Sequence, residues 1–278
     1  MDSKAWASSL VSDFRKRNKG GVWLRMKCSQ VADELDERIA SPERIHQSST
    51  PFCGYATLAY TVLKQSPQQY AWCAIGLFED GIGHFGTLGG TKARLKPPSD
   101  LRTRSLPRSS NAPFSTMPQV DWMVLASLRD HFNHALFDVG ESIPILGPII
   151  KAIHGGATAS EIVEALKQLG CTECYDQTNV STPKELGNLF AAHGHVGAGR
   201  LVFLRIDGKL LTEERSSSKG GRGSHWVGLT EPLDFSPDKK WVSCKVFSWG
   251  DIYEIPGGGM MPTSEFLKRY YGFVVGKF

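Results

Sequence analysis

The sequence predicts an α+β protein, with helices in the first part of the chain and antiparallel strands in the last part. Up to residue 195, the longer apolar segments repeat at the three- and four-residue spacing of amphipathic helices. From residue 200, apolar residues form short extended runs separated by Gly, Ser, Pro and Asp. A group of helices followed by a group of strands is the pattern of an α+β arrangement.

Composition excludes several classes of protein. The 278 residues are 41% hydrophobic and 22% charged, which is typical of a globular protein. The net charge is only +4, with Lys and Arg spread along the chain, so no nucleic-acid partner is expected. No run of 18 apolar residues occurs, and the N-terminal segment lacks the apolar core of a secretory signal. We therefore expect no membrane span, and synthesis in a cytoplasm.

Residues 1–46 are predicted to form an N-terminal helical extension on the outside of the core. Their apolar positions recur at helical spacing among many charges, which indicates one or two amphipathic helices. The main domain is predicted to span residues 47–278 and to begin with a largely buried helix. Ser49 or Thr50 is expected to cap this helix, with Cys53 in its first turn.

A loop and helical insertion is predicted around residues 86–195. Its first part, residues 86–119, is rich in Gly, Pro, Ser and Arg, which is typical of a long surface loop or a linker. Helices are predicted over residues 120–136 and 157–170. They are expected to form a layer with the preceding buried helix.

The predicted sheet consists of four extended segments separated by turn residues. An antiparallel meander is the economical arrangement for such a series. The segments span residues 200–211, 225–235, 241–250 and 251–256.

The six cysteines are interpreted as thiols, because a chain of this length without a secretory signal is not expected to carry a disulfide framework. Cys171 and Cys174 have the C-x-x-C spacing of half a zinc site or of a redox pair. No second C-x-x-C completes four ligands, and no thioredoxin-like sequence surrounds the pair. We interpret both as ordinary thiols at a helix-to-strand corner, and predict neither a metal nor a cofactor.

Cys53 is the candidate nucleophile. A thiol reacts as its thiolate, and a helix N-terminus offers partial positive charge and backbone N–H groups that can also bind an oxyanion. Gly54 leaves the approach to the sulfur uncrowded. The alternative is a small buried residue in an Ala-rich helix, which this segment alone does not exclude.

His225 is the candidate base. It opens the apolar run HWVGL directly after SSSKGGRGS, so it is expected at the mouth of a strand, where it can reach a cleft. A histidine at a strand start is also a common structural residue. Its combination with a thiol on a helix N-terminus, and with the strand end Ser248-Trp249-Gly250-Asp251, favours catalysis.

Together these residues resemble the papain-like cysteine peptidase superfamily. Gln47 lies six residues before Cys53, the offset at which these enzymes keep a glutamine that completes the oxyanion hole. The strand SHWVGL is similar to their histidine strand, and Phe247–Gly250 resembles their Asn-Ser-Trp-Gly stretch. The resemblance implies a papain-like fold in which a helix carrying Cys53 faces a sheet carrying His225. It also implies that Trp249 shields the catalytic polar pair from water.

The residue that orients His225 departs from the family pattern. The orienting Asn falls on Phe247, whose side chain accepts no hydrogen bond. Asp251 is the first substitute, because a carboxylate fixes the imidazole tautomer and favours the imidazolium. Ser248 is the second.

Two central segments, DWMVLASLRDHFNHAL and GGATASEIVEALKQLGCTECYDQTN, resemble the middle of bacterial papain-like toxins and effectors. Such proteins are delivered by specialised secretion machinery without a classical signal. The resemblance implies a cysteine protease with a protein or peptide substrate, and an immunity or inhibitor protein as a partner. A peptidoglycan peptide amidase and a glutamine deamidase are alternatives on the same fold. A non-catalytic papain-like binding protein is the alternative from another class, which Phe247 favours.

Four further histidines and two glycine-rich segments are not assigned a ligand. His131 and His134 share a helix three residues apart, where a solvated face is expected, and His193 and His195 lie in a loop without identifiable partners. GIGHFGTLGG and KGGRG both lack the phosphate-binding pattern. KGGRG, at residues 219–223, is interpreted as a mobile lip of the cleft.

Overall fold

The structure is a computed structural model of mixed α+β architecture with an antiparallel sheet. It describes residues 2–48, 50–108, 116–132, 156–179, 181–197, 199–211 and 225–278. The contacts of the chain divide it into two compact units. We call residues 1–134 with 168–170 the helical unit, and residues 135–167 with 171–278 the sheet unit.

The described part of the helical unit contains six α-helices and a small hairpin. The helices are α1 (Ser3–Arg17), α2 (Cys28–Ala40), α3 (Cys53–Gln65), α4 (Pro67–Asp80), α5 (Ser99–Thr103) and α6 (Gln119–Phe132). A 3₁₀ turn, Pro42–Arg44, follows α2. The hairpin pairs β1 (Gly83–Gly86) with β2 (Lys92–Leu95) in antiparallel register.

The first two helices belong to the core of the helical unit. Their apolar residues recur every three or four positions, so one face of each helix is apolar. Val11 and Phe14 of α1, and Val31 and Leu35 of α2, are fully buried. Helix α1 contacts both α2 and α4. The predicted helices are therefore present, and their apolar faces are buried within the helical unit.

Helix α3 is the predicted buried helix, and it begins at Cys53. All of its residues from Cys53 to Leu63 are buried. Its cap was expected from Ser49 or Thr50. Ser49 lies outside the described residues, and the residue in the N-cap position is Phe52.

The Gly- and Pro-rich stretch predicted as a long loop contains regular structure. It includes the end of the β1–β2 hairpin and helix α5. Elements of four or five residues are too short for a sequence period to be visible, which explains the difference. Residues 109–115 lie outside the described residues. The next predicted helix is confirmed as α6 up to Phe132, and the rest of its predicted span also lies outside them.

The sheet unit contains most of the strands. Its helices are α7 (Ala159–Gln168), whose last residue is counted with the helical unit, α8 (Leu186–Gly194) and α9 (Thr263–Leu267). Its strands are β3 (Glu173–Asp176), β4 (Arg200–Ile206), β5 (His225–Leu229), β6 (Asp234–Phe235), β7 (Trp241–Ser248), β8 (Asp251–Ile255), β9 (Met261–Pro262) and β10 (Tyr270–Lys277). A 3₁₀ turn, Gly208–Leu211, follows β4.

The sheet has the order β3-β10-β4-β5-β7-β6, and β8 and β9 also pair with β7. Strands β4, β5, β7 and β8 follow the predicted meander in antiparallel register. The sequence indicated a strand after Cys171, where β3 lies, but it did not predict β10, which lies between β3 and β4. Residues 270–276 of β10 are all buried, so both faces of this strand are covered. Such a strand lacks the alternation of apolar and polar residues by which a strand with one exposed face is recognised.

The register decides which face of the sheet His225 occupies. His225 pairs with Ile206, and Val227 pairs with Leu204. Side chains of paired residues share a face, and residues two apart along a strand also share it. The face of His225 is therefore the one whose apolar residues form the core of the sheet unit. Ser248, two residues after the core residue Val246, lies on the same face.

Candidate active site

The thiol of Cys53 lies at the N-terminus of α3. Cys53 is the first helical residue, and within the described part of the chain no side chain caps this turn. The residue is buried, with 6% of its surface exposed. The backbone N–H groups at a helix N-terminus carry partial positive charge, which stabilises an anion at this position. Cys53 therefore lies in the first turn of a helix, which is the position that the sequence predicts for it.

The other five thiols are in environments that disfavour the thiolate. Burial raises the pKa of each of them from its ordinary value, and to about 12 for Cys171 and Cys244. Cys28 is the informative comparison, because it is also the first residue of a helix. Its sulfur lies 3.7 Å from the Phe14 carbonyl oxygen, to which the thiol donates. The five thiols are Cys28, Cys73, Cys171, Cys174 and Cys244.

Gln47, the predicted oxyanion donor, lies in a turn that its neighbours hold in place. Its side chain is buried, and its carbonyl oxygen accepts the backbone N–H of Thr50 at 3.1 Å. The backbone N–H of Ser48 donates to His46 Nδ1 at 2.9 Å, and Ser48 has a left-handed φ of 54°. Burial lowers the pKa of His46, so the ring stays neutral and Nδ1 can accept this bond.

A buried ion pair, which sequence reasoning missed, supports this turn. The Asp121 carboxylate on α6 accepts two bonds from the Arg38 guanidinium of α2, at 3.1 and 2.8 Å. It also accepts the backbone N–H of His46 at 2.9 Å. Both charged side chains are almost fully buried. A carboxylate within the apolar run VDWMVLA was the available signal, because a charge on the buried face of a helix requires a partner.

Phe52, which precedes Cys53, is held by the same helix. Its ring is stacked on Trp122 of α6, with ring centroids 5.9 Å apart and planes inclined by 29°. The Arg129 guanidinium, also on α6, lies 5.9 Å from the Phe52 ring centroid. The start of α3 is therefore packed against α6 through an aromatic side chain.

In the sheet unit, His225 bonds to Ser248 beneath the ring of Trp249. His225 Nε2 lies 2.6 Å from Ser248 Oγ, and both residues are buried. The imidazole and the Trp249 ring have centroids 4.6 Å apart. The contact with Ser248 uses Nε2 and leaves Nδ1 as the ring nitrogen that could face a thiol. When Nε2 donates to Ser248, Nδ1 carries the lone pair that a general base needs.

Burial keeps the His225 ring uncharged. It lowers the pKa of His225 to about 4, because the low-dielectric surroundings disfavour the imidazolium. At neutral pH the ring is therefore neutral, and the same low pKa makes it a weak base.

Asp251, the first choice for orienting His225, does not bond to it. Its side chain is exposed, and its carboxylate accepts the N–H of Ile252 at 2.8 Å. The structure instead brings the second choice, Ser248, to the ring. Phe247, where the family pattern has Asn, lies on the opposite face of β7 from Ser248 and is buried. Because neighbouring residues of a strand face opposite sides of the sheet, Ser248 can reach His225 and Phe247 cannot.

Trp249 lies in the tight turn between β7 and β8, which determines the position of its ring. Strands β7 and β8 pair up to Ser248 and Asp251, which leaves a two-residue loop. Both loop residues are left-handed, with φ of 44° at Trp249 and 84° at Gly250. This is the pattern of a type I′ hairpin turn, which matches the twist of the strands.

The remaining candidates have structural contacts. His131 Nε2 lies 3.0 Å from Gln168 Oε1, and His195 packs on the rings of Tyr175 and Phe273. Cys171 lies between α7 and β3, the predicted helix-to-strand corner. The described residues contain no group of three or more side chains that could hold a metal ion. His134 and the KGGRG segment lie outside the described residues.

No match was found in comparisons of the chain with protein-family models, with curated proteins or with solved structures. Among the described helices, none has the length and apolar character to cross a membrane.

Proposed function

We propose that the protein is a cysteine hydrolase of papain-like type that cleaves amide bonds, with Cys53 as nucleophile and His225 as base. The observation that carries the proposal is the hydrogen bond between His225 and Ser248 beneath the Trp249 ring. That bond uses Nε2, so the proposed proton acceptor is the other ring nitrogen, Nδ1. The position of Cys53 at the N-terminus of α3 supports the other half of the pair.

The chemistry is an acyl transfer through a thioester. His225 Nδ1 takes the proton of the Cys53 thiol, and the sulfur attacks the carbonyl carbon of the substrate. The carbonyl oxygen becomes an oxyanion that accepts hydrogen bonds from the Gln47 amide and the Cys53 N–H. The carbon–nitrogen bond breaks as His225 returns the proton to the leaving amine. Water then hydrolyses the thioester and restores the thiol.

The proposed substrate is a protein or peptide, and the proposed role is that of a secreted bacterial toxin or effector with an immunity or inhibitor protein as partner. Both proposals rest on the sequence resemblance. A peptidoglycan peptide amidase and a glutamine deamidase use the same steps, because each also begins with thiolate attack on an amide carbon. Release of ammonia from glutamine-containing peptides distinguishes deamidation from peptide-bond cleavage.

A non-catalytic binding protein is the second candidate function. The burial of His225 favours it, because a histidine that is 6% exposed and bonded to a buried serine is also what a structural residue looks like. In that case Ser248 stabilises the sheet and His225 exchanges no proton.

Hydrolysis of p-nitrophenyl acetate tests the proposal without knowledge of the substrate. We expect a burst of nitrophenolate from the wild type, loss of the burst in Cys53→Ala, and a roughly hundredfold slower burst in His225→Ala. Cys28→Ala is the matched control, because Cys28 also begins a helix, and it is expected to keep the wild-type burst. A full burst from Cys53→Ala would rule out the proposed nucleophile and favour the binding protein.

A further inference from the structure

The carboxylate of Asp121 fixes the backbone immediately before Gln47. Its Oδ2 accepts the His46 N–H at 2.9 Å, and the same oxygen accepts Arg38 Nη2 at 2.8 Å. Its Oδ1 accepts Arg38 Nε at 3.1 Å. Three charge-assisted hydrogen bonds on a fully buried carboxylate leave it one orientation. The His46 N–H, which lies outside the helices, therefore has a rigid acceptor on α6.

The backbone immediately after Gln47 is fixed as well. The Ser48 N–H donates to His46 Nδ1, and the Ser48 hydroxyl donates to the Arg108 carbonyl oxygen at 2.9 Å. Ser48 also has a left-handed backbone, which a non-glycine residue adopts only when its surroundings require it. Gln47 thus lies between two residues whose positions are determined by hydrogen bonds.

The buried ion pair is better explained by the hydrogen-bond acceptor that it orients than by any gain in stability. Removing two charges from water is costly, and a buried ion pair adds little net stability compared with apolar residues of similar volume. Asp121 provides a hydrogen-bond acceptor for the His46 N–H, which an apolar side chain could not provide. Donors that stabilise an oxyanion are effective only when they are held in place before the reaction.

We propose that Asp121 is a positioning residue, which holds the turn 46–48 so that the Gln47 amide is preorganised for an oxyanion. This inference rests on the proposed function, because it assumes that Gln47 serves the Cys53 thiol. Arg38 acts one step further away, by fixing Asp121. The neighbouring Trp122, stacked on Phe52, packs the start of α3 against the same helical turn.

Two reactions of the Cys53 thiol separate positioning from general damage. Acylation by p-nitrophenyl acetate forms a carbon–sulfur bond at a carbonyl carbon and then releases nitrophenolate, so it passes through an oxyanion. Alkylation by iodoacetamide forms a carbon–sulfur bond at a saturated carbon and releases iodide, so it forms no oxyanion. The ratio of the two rates at Cys53 therefore reports on oxyanion stabilisation.

The experiment measures both rates in Asp121→Asn, Gln47→Ala and the double variant. We expect each single variant to lose about tenfold to a hundredfold in acylation with little change in alkylation. The double variant is expected to lose no more than Gln47→Ala alone, because both changes remove the same donor. Glu34→Gln is the matched control. The Glu34 side chain of α2 accepts the Val120 N–H at 2.8 Å in the first turn of α6, a bond that involves none of residues 46–48, so both rates are expected to stay unchanged.

A second variant keeps the inference testable if Asp121→Asn folds poorly. Arg38→Met combined with Asp121→Leu replaces the ion pair by apolar side chains and removes the acceptor, so it is expected to show the same loss of acylation. Equal losses in both reactions, or a double variant of Asp121→Asn and Gln47→Ala that loses more acylation than Gln47→Ala alone, would overturn the positioning role. A different result, unchanged acylation in Cys53→Ala, would refute the proposed function itself.

Discussion

His225 is held at one ring nitrogen and kept neutral by burial, and both properties follow from its immediate neighbours. Ser248 supplies the hydrogen bond, Trp249 covers the ring, and the core face of the sheet excludes water. The pKa of about 4 means that the ring is neutral at neutral pH. It also means that His225 would accept a proton from the Cys53 thiol against the preference of its surroundings for the neutral ring.

Substitution of Ser248 tests the orienting role. Ser248→Ala leaves Nε2 without its partner, so we expect the acylation rate to fall about tenfold, or about 1.4 kcal/mol in barrier height. Asp251→Ala is the matched control, because Asp251 lies opposite Ser248 in the hairpin but is exposed. It is expected to keep the wild-type rate. If Asp251→Ala lowered the acylation rate more than Ser248→Ala, Asp251 and not Ser248 would be the residue that orients His225.

The burial of His225 predicts a pH-dependent stability. An unfolded histidine takes up a proton near pH 6.5, whereas the folded one resists until about pH 4. The unfolded state therefore binds more protons between these values, and stability falls as the pH drops through this window. The contribution is complete above pH 6.5 and lost near pH 4, with a total of about 3 kcal/mol.

Urea unfolding at a series of pH values measures this effect. His225→Gln keeps a polar group near Ser248 but has no charge to gain, so its stability is expected to fall less between pH 6.5 and pH 4. Equal pH dependence of the two proteins would show that other groups are responsible.

At the scale of elements, the β7–β8 hairpin determines where the Trp249 ring lies. Its two-residue turn was not predicted as such, although the sequence SWGD contains the glycine that the second position favours. Longer elements were easier to predict. Helix α3 and strands β4, β5 and β7 have periods or apolar runs that local sequence reveals, and β1, β2 and α5 are too short for this.

Substitution of Gly250 tests the turn. With φ at 84°, Gly250→Ala forces a side chain into the left-handed region, and we expect the free energy of unfolding to fall by about 1 kcal/mol. Gly257→Ala is the control, because an added Cβ there meets no other atom within 4 Å and no positive φ occurs. Equal effects of the two substitutions would contradict the turn assignment.

The ion pair between α2 and α6 carries a prediction about stability. Asp121→Ala removes the buried partner of the Arg38 guanidinium and leaves only the exposed Glu37 carboxylate beside it, so it is expected to lower the free energy of unfolding by about 3 kcal/mol. Arg38→Met with Asp121→Leu is expected to be close to neutral, and chemical denaturation measures both. A double variant as unstable as Asp121→Ala would show that the pair itself stabilises the fold.

At the scale of the whole molecule, the sequence predicted the α+β class but not how distant segments combine. Arg38 and Asp121 lie 83 positions apart, and β10 pairs with β3 and β4 across long intervals of chain. No local pattern encodes such pairings. The identity of Ser248 as the partner of His225 also required the register of β7, because it depends on which face each residue occupies.

The central position of β10 predicts that the sheet unit requires the end of the chain. Removal of residues 270–278 takes away a strand bonded on both sides, so we expect loss of cooperative unfolding and rapid proteolysis of residues 171–269. Removal of Phe278 alone is the control and is expected to leave the sheet intact. Limited proteolysis with mass spectrometry distinguishes the two outcomes, and a protease-resistant truncated chain would contradict the topology.

The most direct test of the proposed Cys53–His225 pair is the rate at which iodoacetamide labels each of the six thiols at neutral pH, followed by mass spectrometry. We predict that Cys53 reacts at least tenfold faster than Cys28, the other thiol at a helix N-terminus, and that His225→Ala removes this difference. Labelling of Cys53 at the rate of Cys28 in the wild type, or a fast rate that survives His225→Ala, would contradict the account.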